Sequence, residues 1–265
     1  MLGAIAGDII GSPYEHEPIK TTDFPLFRPT SRFTDDTVLT VAVAEALLRQ
    51  RDYTRLLEDY YYRYPGVPYG ARFHDWASSH DHLPYQSWGN GSAMRVSPVA
   101  YAHSDVDAVL GEAKRSAEVT HDHPEGVRGA QATALAIFLA RQEVDKPDIR
   151  AEIQCRFGYD LTRRVEDIRP DYKCDLSCQH TVPEALICFL DSSDFEDAVR
   201  LAVSLGGDAD TMACITGSVA EPFYGGIPES IRTETLSRLD ERIIAVISEF
   251  HIRYGLSNKT AGSDA

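Results

Sequence analysis

The sequence predicts an all-α fold, a single multi-helix domain over residues 1–255, and three observations predict it. Apolar residues recur at a spacing of about 3.6 residues along 37–49, 126–141 and 231–253, the period of a helix with one buried face. No stretch alternates apolar and polar side chains in the manner of a half-buried strand. No strand–helix–strand rhythm, internal repeat or linker divides the chain.

The N-terminal stretch 2–11 predicts a short helix in which Gly3, Ala4, Ala6 and Gly7 permit close packing. Asp8 lies inside it, and a lone carboxylate in so apolar a helix is read first as one satisfied by backbone N–H donors. Gly11-Ser12-Pro13 reads as the helix end, followed by an acidic loop, Tyr14-Glu15-His16-Glu17, and an irregular segment over 18–33. Helices are predicted over 37–49 and 53–64, where the run Tyr60-Tyr61-Tyr62 reads as packing. A turn at 65–70 and a short helix from Phe73 to Ser79 come next.

The loop 80–98 contains Ser87-Trp88-Gly89-Asn90-Gly91-Ser92-Ala93-Met94-Arg95. Gly-Asn-Gly reads as a sharp turn that exposes backbone N–H groups, which suits anionic or hydroxyl-rich ligands. Helices over 105–118 and 126–141 flank Thr120-His121-Asp122-His123-Pro124. The charged segment 145–181 reads as irregular; its Cys174, Cys178 and His180 lack the fourth ligand of a structural zinc site. Helices over 183–190 and 194–205 lead into a motif at 204–213 and a buried helical run over 212–220. A single amphipathic helix is expected over 231–253, and the polar tail 256–265 is expected to be disordered.

Length, 265 residues, allows a sizeable core, and 25% charged with 43% hydrophobic residues is ordinary for a globular protein. A net charge of −15 argues against a phosphate-backbone binder, which needs a basic face. Five cysteines form no regular framework and read as reduced thiols. The apolar N-terminus lacks a basic flank and carries Asp8, so it does not read as a signal peptide, and no stretch reaches the about 18 apolar residues of a membrane span. A cytoplasmic monomer is expected, with no membrane or nucleic-acid partner.

Two stretches concentrate oxygen donors. Thr34-Asp35-Asp36-Thr37 opens one apolar helix, and Gly206-Gly207-Asp208-Ala209-Asp210-Thr211 opens another. Either alone would serve as a helix cap, because Thr and Asp oxygens accept the free N–H groups of a first turn. A cap needs one oxygen, whereas the two stretches together hold four carboxylates and three hydroxyls. Adjacent acids repel unless a cation neutralises them, and hard oxygen donors suit Mg²⁺, Mn²⁺ or Ca²⁺.

In order along the chain, Gly7-Asp8-Ile9-Ile10-Gly11, Glu15, Thr34-Asp35-Asp36-Thr37, Gly89-Asn90-Gly91-Ser92-Ala93-Met94-Arg95, Thr120-His121 and Gly206-Gly207-Asp208-Ala209-Asp210-Thr211 resemble the ADP-ribosylglycohydrolase family over roughly residues 1–250. The resemblance implies a Mg²⁺-dependent hydrolase, with Mn²⁺ as an alternative metal, that cleaves the glycosidic bond between ADP-ribose and a modified protein side chain or small conjugate. It implies a cleft with two metal ions: Thr34, Asp35 and Asp36 on one, Asp208 and Thr211 on the other, and Asp210 bridging. Glu15 matches a family glutamate that handles protons or gates substrate, so Glu15 and Asp210 are the expected catalytic pair. Ser87, Gly89, Asn90, Gly91, His121 and Gly207 are the expected substrate-binding residues.

Tyr14-Glu15 resembles the serine-directed members and His121-Asp122-His123-Pro124 the arginine-directed ones, which leaves both linkages open. A non-catalytic ADP-ribose or metal-binding protein of the same fold is the alternative. An aspartyl-phosphate phosphatase, suggested by Asp208-x-Asp210, is disfavoured because a glycine pair rather than an apolar strand precedes the motif.

Overall fold

The computed structural model describes residues 1–255; the tail expected to be disordered, 256–265, lies outside the described residues. Fifteen helices are found among them: α1 Leu2–Glu15, α2 Asp35–Arg49, α3 Tyr53–Arg63, α4 Ala71–Ser78, α5 Gly91–Met94, α6 Val99–Ala102, α7 Val106–Glu118, α8 Pro124–Arg141, α9 Lys146–Phe157, α10 Val165–Ile168, α11 Cys178–Asp191, α12 Phe195–Val203, α13 Ala209–Phe223, α14 Glu229–Leu236 and α15 Glu241–Arg253. The expected all-α class holds: no strand occurs among the described residues, and a lone bridge joins Gly89 to Ser177. No described helix is long and apolar enough to cross a membrane.

Several of the longer helices start at short polar side chains. Asp52, Asp105, Asp145, Asp194 and Asp240 each stand at an N-cap and accept the backbone N–H three residues on, satisfying a donor the helix itself cannot. Asp240 thereby starts α15 afresh, which divides the single helix expected over 231–253 into α14 and α15. The segment 145–181 is also more regular than expected. Asp145 caps α9, Gly158 ends it at φ +69°, and only Ile149 and Ile153 are buried along it, a stripe too narrow to read from periodicity. Helix α11 begins at Cys178, ahead of the expected 183.

Helix α1 runs past the expected stop at Gly11-Ser12-Pro13 and ends at Glu15. Proline inside a helix leaves the carbonyl four residues back without its N–H. Ser12 Oγ donates to that carbonyl, Ile9 O, at 3.0 Å, so the helix continues through Pro13.

Helix α13 is the centre of the molecule. It packs on α1, α8, α11 and α12, and every residue from Ala209 to Ala220 is buried. Its contact with the antiparallel α1 is backbone on backbone. A Cβ added at Gly3 would lie 2.4 Å from Gly217 O, at Gly7 2.0 Å from Ala213 O, and at Gly11 2.4 Å from Ala209 O. Only hydrogen fits at these successive turns, and the approach places the last turns of α1 beside the first turn of α13.

Candidate functional site

That contact brings three remote stretches together. Helix α1 carries Asp8 and ends on Glu15, α2 opens with Asp35 and Asp36, and α13 begins just after Asp208 and includes Asp210. Asp8, Asp36 and Asp210, all buried, each offer an oxygen within 4.8 Å of the others; Glu15, Asp208 and Asp210 do the same. Asp210 belongs to both groups.

Two threonine hydroxyls meet at Asp36, one from its own stretch and one from the stretch that the motifs pair with Asp208. Thr34 Oγ1 and Thr211 Oγ1 are each 3.4 Å from Asp36 Oδ2. Thr34 is also the N-cap of α2, accepting the Asp36 N–H, so capping and membership of the cluster coincide in it. Asp208 is different. It occupies the N-cap position of α13 and makes no capping hydrogen bond, in contrast to the five capping aspartates. Its Oδ2 instead accepts from Asn90 Nδ2 at 2.7 Å.

Asp8 combines two behaviours. Its carboxylate accepts from the backbone N–H groups of Thr34 and Thr37, at 3.0 and 3.1 Å, and from both threonine hydroxyls. This fulfils the expectation of a satisfied buried acid, and it also makes Asp8 a wall of the cluster that the motifs alone did not assign to the site. The signal was visible as a single acid in an apolar helix.

Packing so many carboxyls out of water disfavours their charged forms. Burial raises Asp8 to about 6 against its four hydrogen bonds. Asp35, partly exposed and outside both groups, is raised to about 8, by burial first and then by Asp8, Asp208 and Glu15. Asp36 and Asp210 are pushed well up by burial and then by neighbouring aspartates, and Asp208 is raised by burial. Glu15, half-buried, is raised by burial and by Asp208. No lysine or arginine forms an ion pair with any of the five aspartates among the described residues. Asp36 Oδ1 is sealed from solvent with no hydrogen-bond partner among the described residues. A buried oxygen left unpaired is costly. An oxygen-only donor set in this condition fits a hard divalent cation.

The loop at 87–91 borders the cluster through Asn90. The expected turn is present at Asn90 and leads directly into α5, but neither glycine of the loop has a positive φ and Asn90 sits at φ −73°, so the turn itself does not demand glycine. Close approach explains the glycines instead: a Cβ on Gly91 would meet His121 Nε2 at 3.2 Å, and one on Gly89 would meet Ser87 Oγ at 3.3 Å. Two of the loop N–H groups expected to be exposed are in use. Gly89 donates to Ser87 Oγ at 3.2 Å and Asn90 donates to Leu176 O at 2.8 Å. His121 is buried beside the loop, and its Nδ1 lies 2.7 Å from Thr120 Oγ1. Gly207 faces the Tyr172 ring, where an added Cβ would lie 2.4 Å from Cε1. Tyr172 belongs to the segment 155–181, to which the motifs assign nothing.

The cysteine–histidine trio is dispersed. Cys178 Sγ turns to Gly89 O at 3.1 Å, His180 Nδ1 lies 3.0 Å from Asp175 Oδ2, and Cys174 is exposed.

Comparison with known proteins places these features in context. The sequence model of the ADP-ribosylglycohydrolase family matches residues 1–259. The chain is 27% identical, over an alignment 312 positions long, to ADP-ribosylhydrolase ARH3 of Mus musculus, covering 87% of this chain and 84% of that protein. It is 24% identical, over an alignment 265 positions long, to ADP-ribosylarginine hydrolase Tri1 of Pseudomonas putida, covering 86% of this chain and 71% of that protein. A solved structure described as an ADP-ribosylglycohydrolase-related protein complex has the same fold, with a TM-score of 0.73 at 27% identity over 96% of this chain and 97% of that one.

Proposed function

The chain belongs to the ADP-ribosylglycohydrolase family, and from that premise we propose that it hydrolyses the glycosidic bond between ADP-ribose and a modified acceptor, a protein side chain or a small conjugate, releasing ADP-ribose. The observation that carries this reading is the membership of Asp210 in both carboxylate groups, which is the arrangement a ligand bridging two cations needs. Thr34, Asp35 and Asp36 would hold one Mg²⁺ or Mn²⁺, Asp208 and Thr211 the other, and Asp210 both. Divalent ions bound there supply positive charge that offsets the clustered acids and favours an oxygen-rich ribose.

The residues of the chain divide the remaining work. Glu15 closes one end of the cluster from the last turn of α1 and keeps part of its surface open, so it can meet solvent and substrate. Its raised pKa suits a group that takes a proton from water as the water oxygen bonds to the anomeric carbon. The bond from that carbon to the acceptor breaks in the same process through an oxocarbenium-like state, and Glu15 passes the proton it took from water to the departing acceptor atom, so that the hydroxyl of that water stays on the sugar and its proton leaves on the acceptor. Asp210, fixed by its local bond from the Thr211 N–H at 2.9 Å, positions the reacting sugar relative to Glu15. The loop with Ser87, Gly89, Asn90 and Gly91, together with His121 and Gly207, would hold the ADP-ribose. We take the compartment to be the cytoplasm, a reading supported by five free thiols, and the working form to be a monomer.

The test is release of ADP-ribose from serine-linked and arginine-linked modified proteins. Release that needs Mg²⁺ or Mn²⁺ and stops in EDTA is expected from at least one substrate. Binding of ADP-ribose without release from either, in both metals, would establish the non-catalytic alternative.

A further inference from the structure

Behind the loop lies a buried polar chain that the reading above leaves unused. Arg95, immediately after α5, is fully buried and has no carboxylate partner. Its Nη2 donates to Ser116 O at 3.1 Å and to Thr120 Oγ1 at 2.7 Å, while Nε and Nη1 have no partner among the described residues. Thr120 Oγ1 lies 2.7 Å from His121 Nδ1, and Thr120 too is fully buried.

Hydrogen-bond accounting fixes the direction of this chain. Guanidinium nitrogens only donate, so Thr120 Oγ1 is the acceptor from Arg95. The threonine hydroxyl has one hydrogen of its own, and among the described residues its other neighbour is His121 Nδ1. If the imidazole donated from Nδ1, that hydroxyl hydrogen would be buried with no acceptor, a cost avoided when the hydroxyl donates to Nδ1. An unprotonated Nδ1 leaves the ring's single proton on Nε2. Nε2 is the atom that faces Gly91 and Gly89, the two positions where the loop lacks a side chain. Burial, then Arg95 and Arg72, also hold His121 well below its usual pKa, in keeping with a neutral ring.

We propose that Thr120, itself oriented by Arg95, is a positioning residue that holds His121 as a neutral imidazole presenting an Nε2–H donor to the ligand side of the 87–91 loop. The ligand in question is an acceptor-rich one such as the ribose or diphosphate of ADP-ribose, and this part rests on the reading of that loop under the proposed function. A neutral donor of fixed direction recognises oxygen atoms without placing a second cation beside the buried Arg95.

The experiment compares the full-length protein with T120V, which keeps the shape and removes the hydroxyl, and T120S, which keeps the hydroxyl. Side-chain ¹⁵N–¹H correlation spectra of His121 are recorded without ligand, and ADP-ribose affinity is measured by calorimetry. Wild type and T120S are expected to show the Nε2–H tautomer. T120V is expected to lose it, in whole or as a mixture, with ADP-ribose binding weakened about tenfold and restored in T120S. A wild-type ring protonated on Nδ1, or a T120V ring that keeps the wild-type tautomer, overturns the relay. If the spectra behave as expected but neither T120V nor His121→Ala changes ADP-ribose affinity, the reading of the loop falls, and the positioning role falls with it. Should T120V not fold, the wild-type and T120S spectra still decide the tautomer.

Discussion

Asn90 donates from Nδ2 to Asp208 Oδ2 at 2.7 Å, so the loop beside His121 and the carboxylate at the head of α13 form one hydrogen-bonded unit. The donor is neutral, which orients Asp208 without cancelling its charge. A lysine in the same place would compete with a cation for the carboxylate. Asn90 also reaches Thr181 Oγ1 at 3.2 Å, which ties the loop to the first turn of α11.

Asn90→Ala is therefore expected to loosen Asp208 and to weaken Mg²⁺ binding or hydrolysis by about 10- to 100-fold. Asn90→Asp, which adds an acid to the cluster and removes the donor to Asp208, should destabilise the metal-free protein more than the metal-loaded one. Calorimetric Mg²⁺ titration and melting curves with and without EDTA check both.

Asp210→Asn removes the charge shared by the two carboxylate groups while keeping the shape of the side chain. Metal-induced stabilisation should disappear and ADP-ribose release should fall by orders of magnitude. In EDTA the variant should melt at or above the wild-type temperature, because a buried like-charge repulsion has been relieved. If Asp210 merely supported the helix start, the substitution would cost about 1 kcal/mol and leave hydrolysis intact.

Glu15→Gln keeps the contacts of the last turn of α1 and removes the proton acceptor. Turnover is expected to drop about 10²- to 10⁴-fold. Affinity for free ADP-ribose should stay within about twofold of wild type. Single-turnover rates and calorimetry separate the two, and a collapse of binding with unchanged turnover would make Glu15 a recognition residue.

The metal-free protein should lose stability as pH rises. Asp8 sits at about 6 and Asp35 at about 8, whereas both titrate near 3.9 when unfolded. A raised folded-state pKa means that the native state binds more protons than the unfolded chain between those values, so their contribution is complete below about pH 4 and declines toward pH 8. Stabilisation by added Mg²⁺ should run the other way, growing over the same window as protons leave the ligands. Melting temperatures in EDTA and in Mg²⁺ from pH 5 to 9 test both slopes.

Gly7→Ala would put a carbon 2.0 Å from Ala213 O, where the neighbour is backbone and cannot turn aside. A loss of about 3 kcal/mol in urea unfolding is expected, since overpacking at a rigid contact strains both helices. Mg²⁺-induced stabilisation should shrink in parallel, because the same contact sets Glu15 and Asp8 against Asp208 and Asp210.

Much of this was legible before the chain was folded. The long helices announced themselves through buried stripes, and the threonine–aspartate stretches held more oxygen donors than a cap can use. Asp208 bears out that argument directly, since it caps nothing. What escaped had physical reasons. Ser12 covering Ile9 O is a local side-chain bond that a proline rule ignores. Helix α9 buries two isoleucines only, and its charges hide it. The crowding at Gly91 comes from His121, thirty residues on, and no local turn rule contains it.

The backbone contact between α1 and α13 also carries a consequence for how the protein is made. Helix α1 leaves the ribosome some two hundred residues ahead of the helix it must touch at Gly3, Gly7 and Gly11. Its glycines, at about 1 kcal/mol each relative to alanine, weaken it as an isolated helix. Its apolar surface therefore waits uncovered during most of synthesis, a condition that favours chaperone capture and aggregation of truncated chains. Docking of α1 closes a loop spanning most of the sequence and joins the two halves of the acidic cluster, so nascent chains shorter than about 210 residues lack Asp208 and Asp210 and cannot assemble it. The cluster that could hold a cation thus comes together late, only once both of its halves have been synthesised.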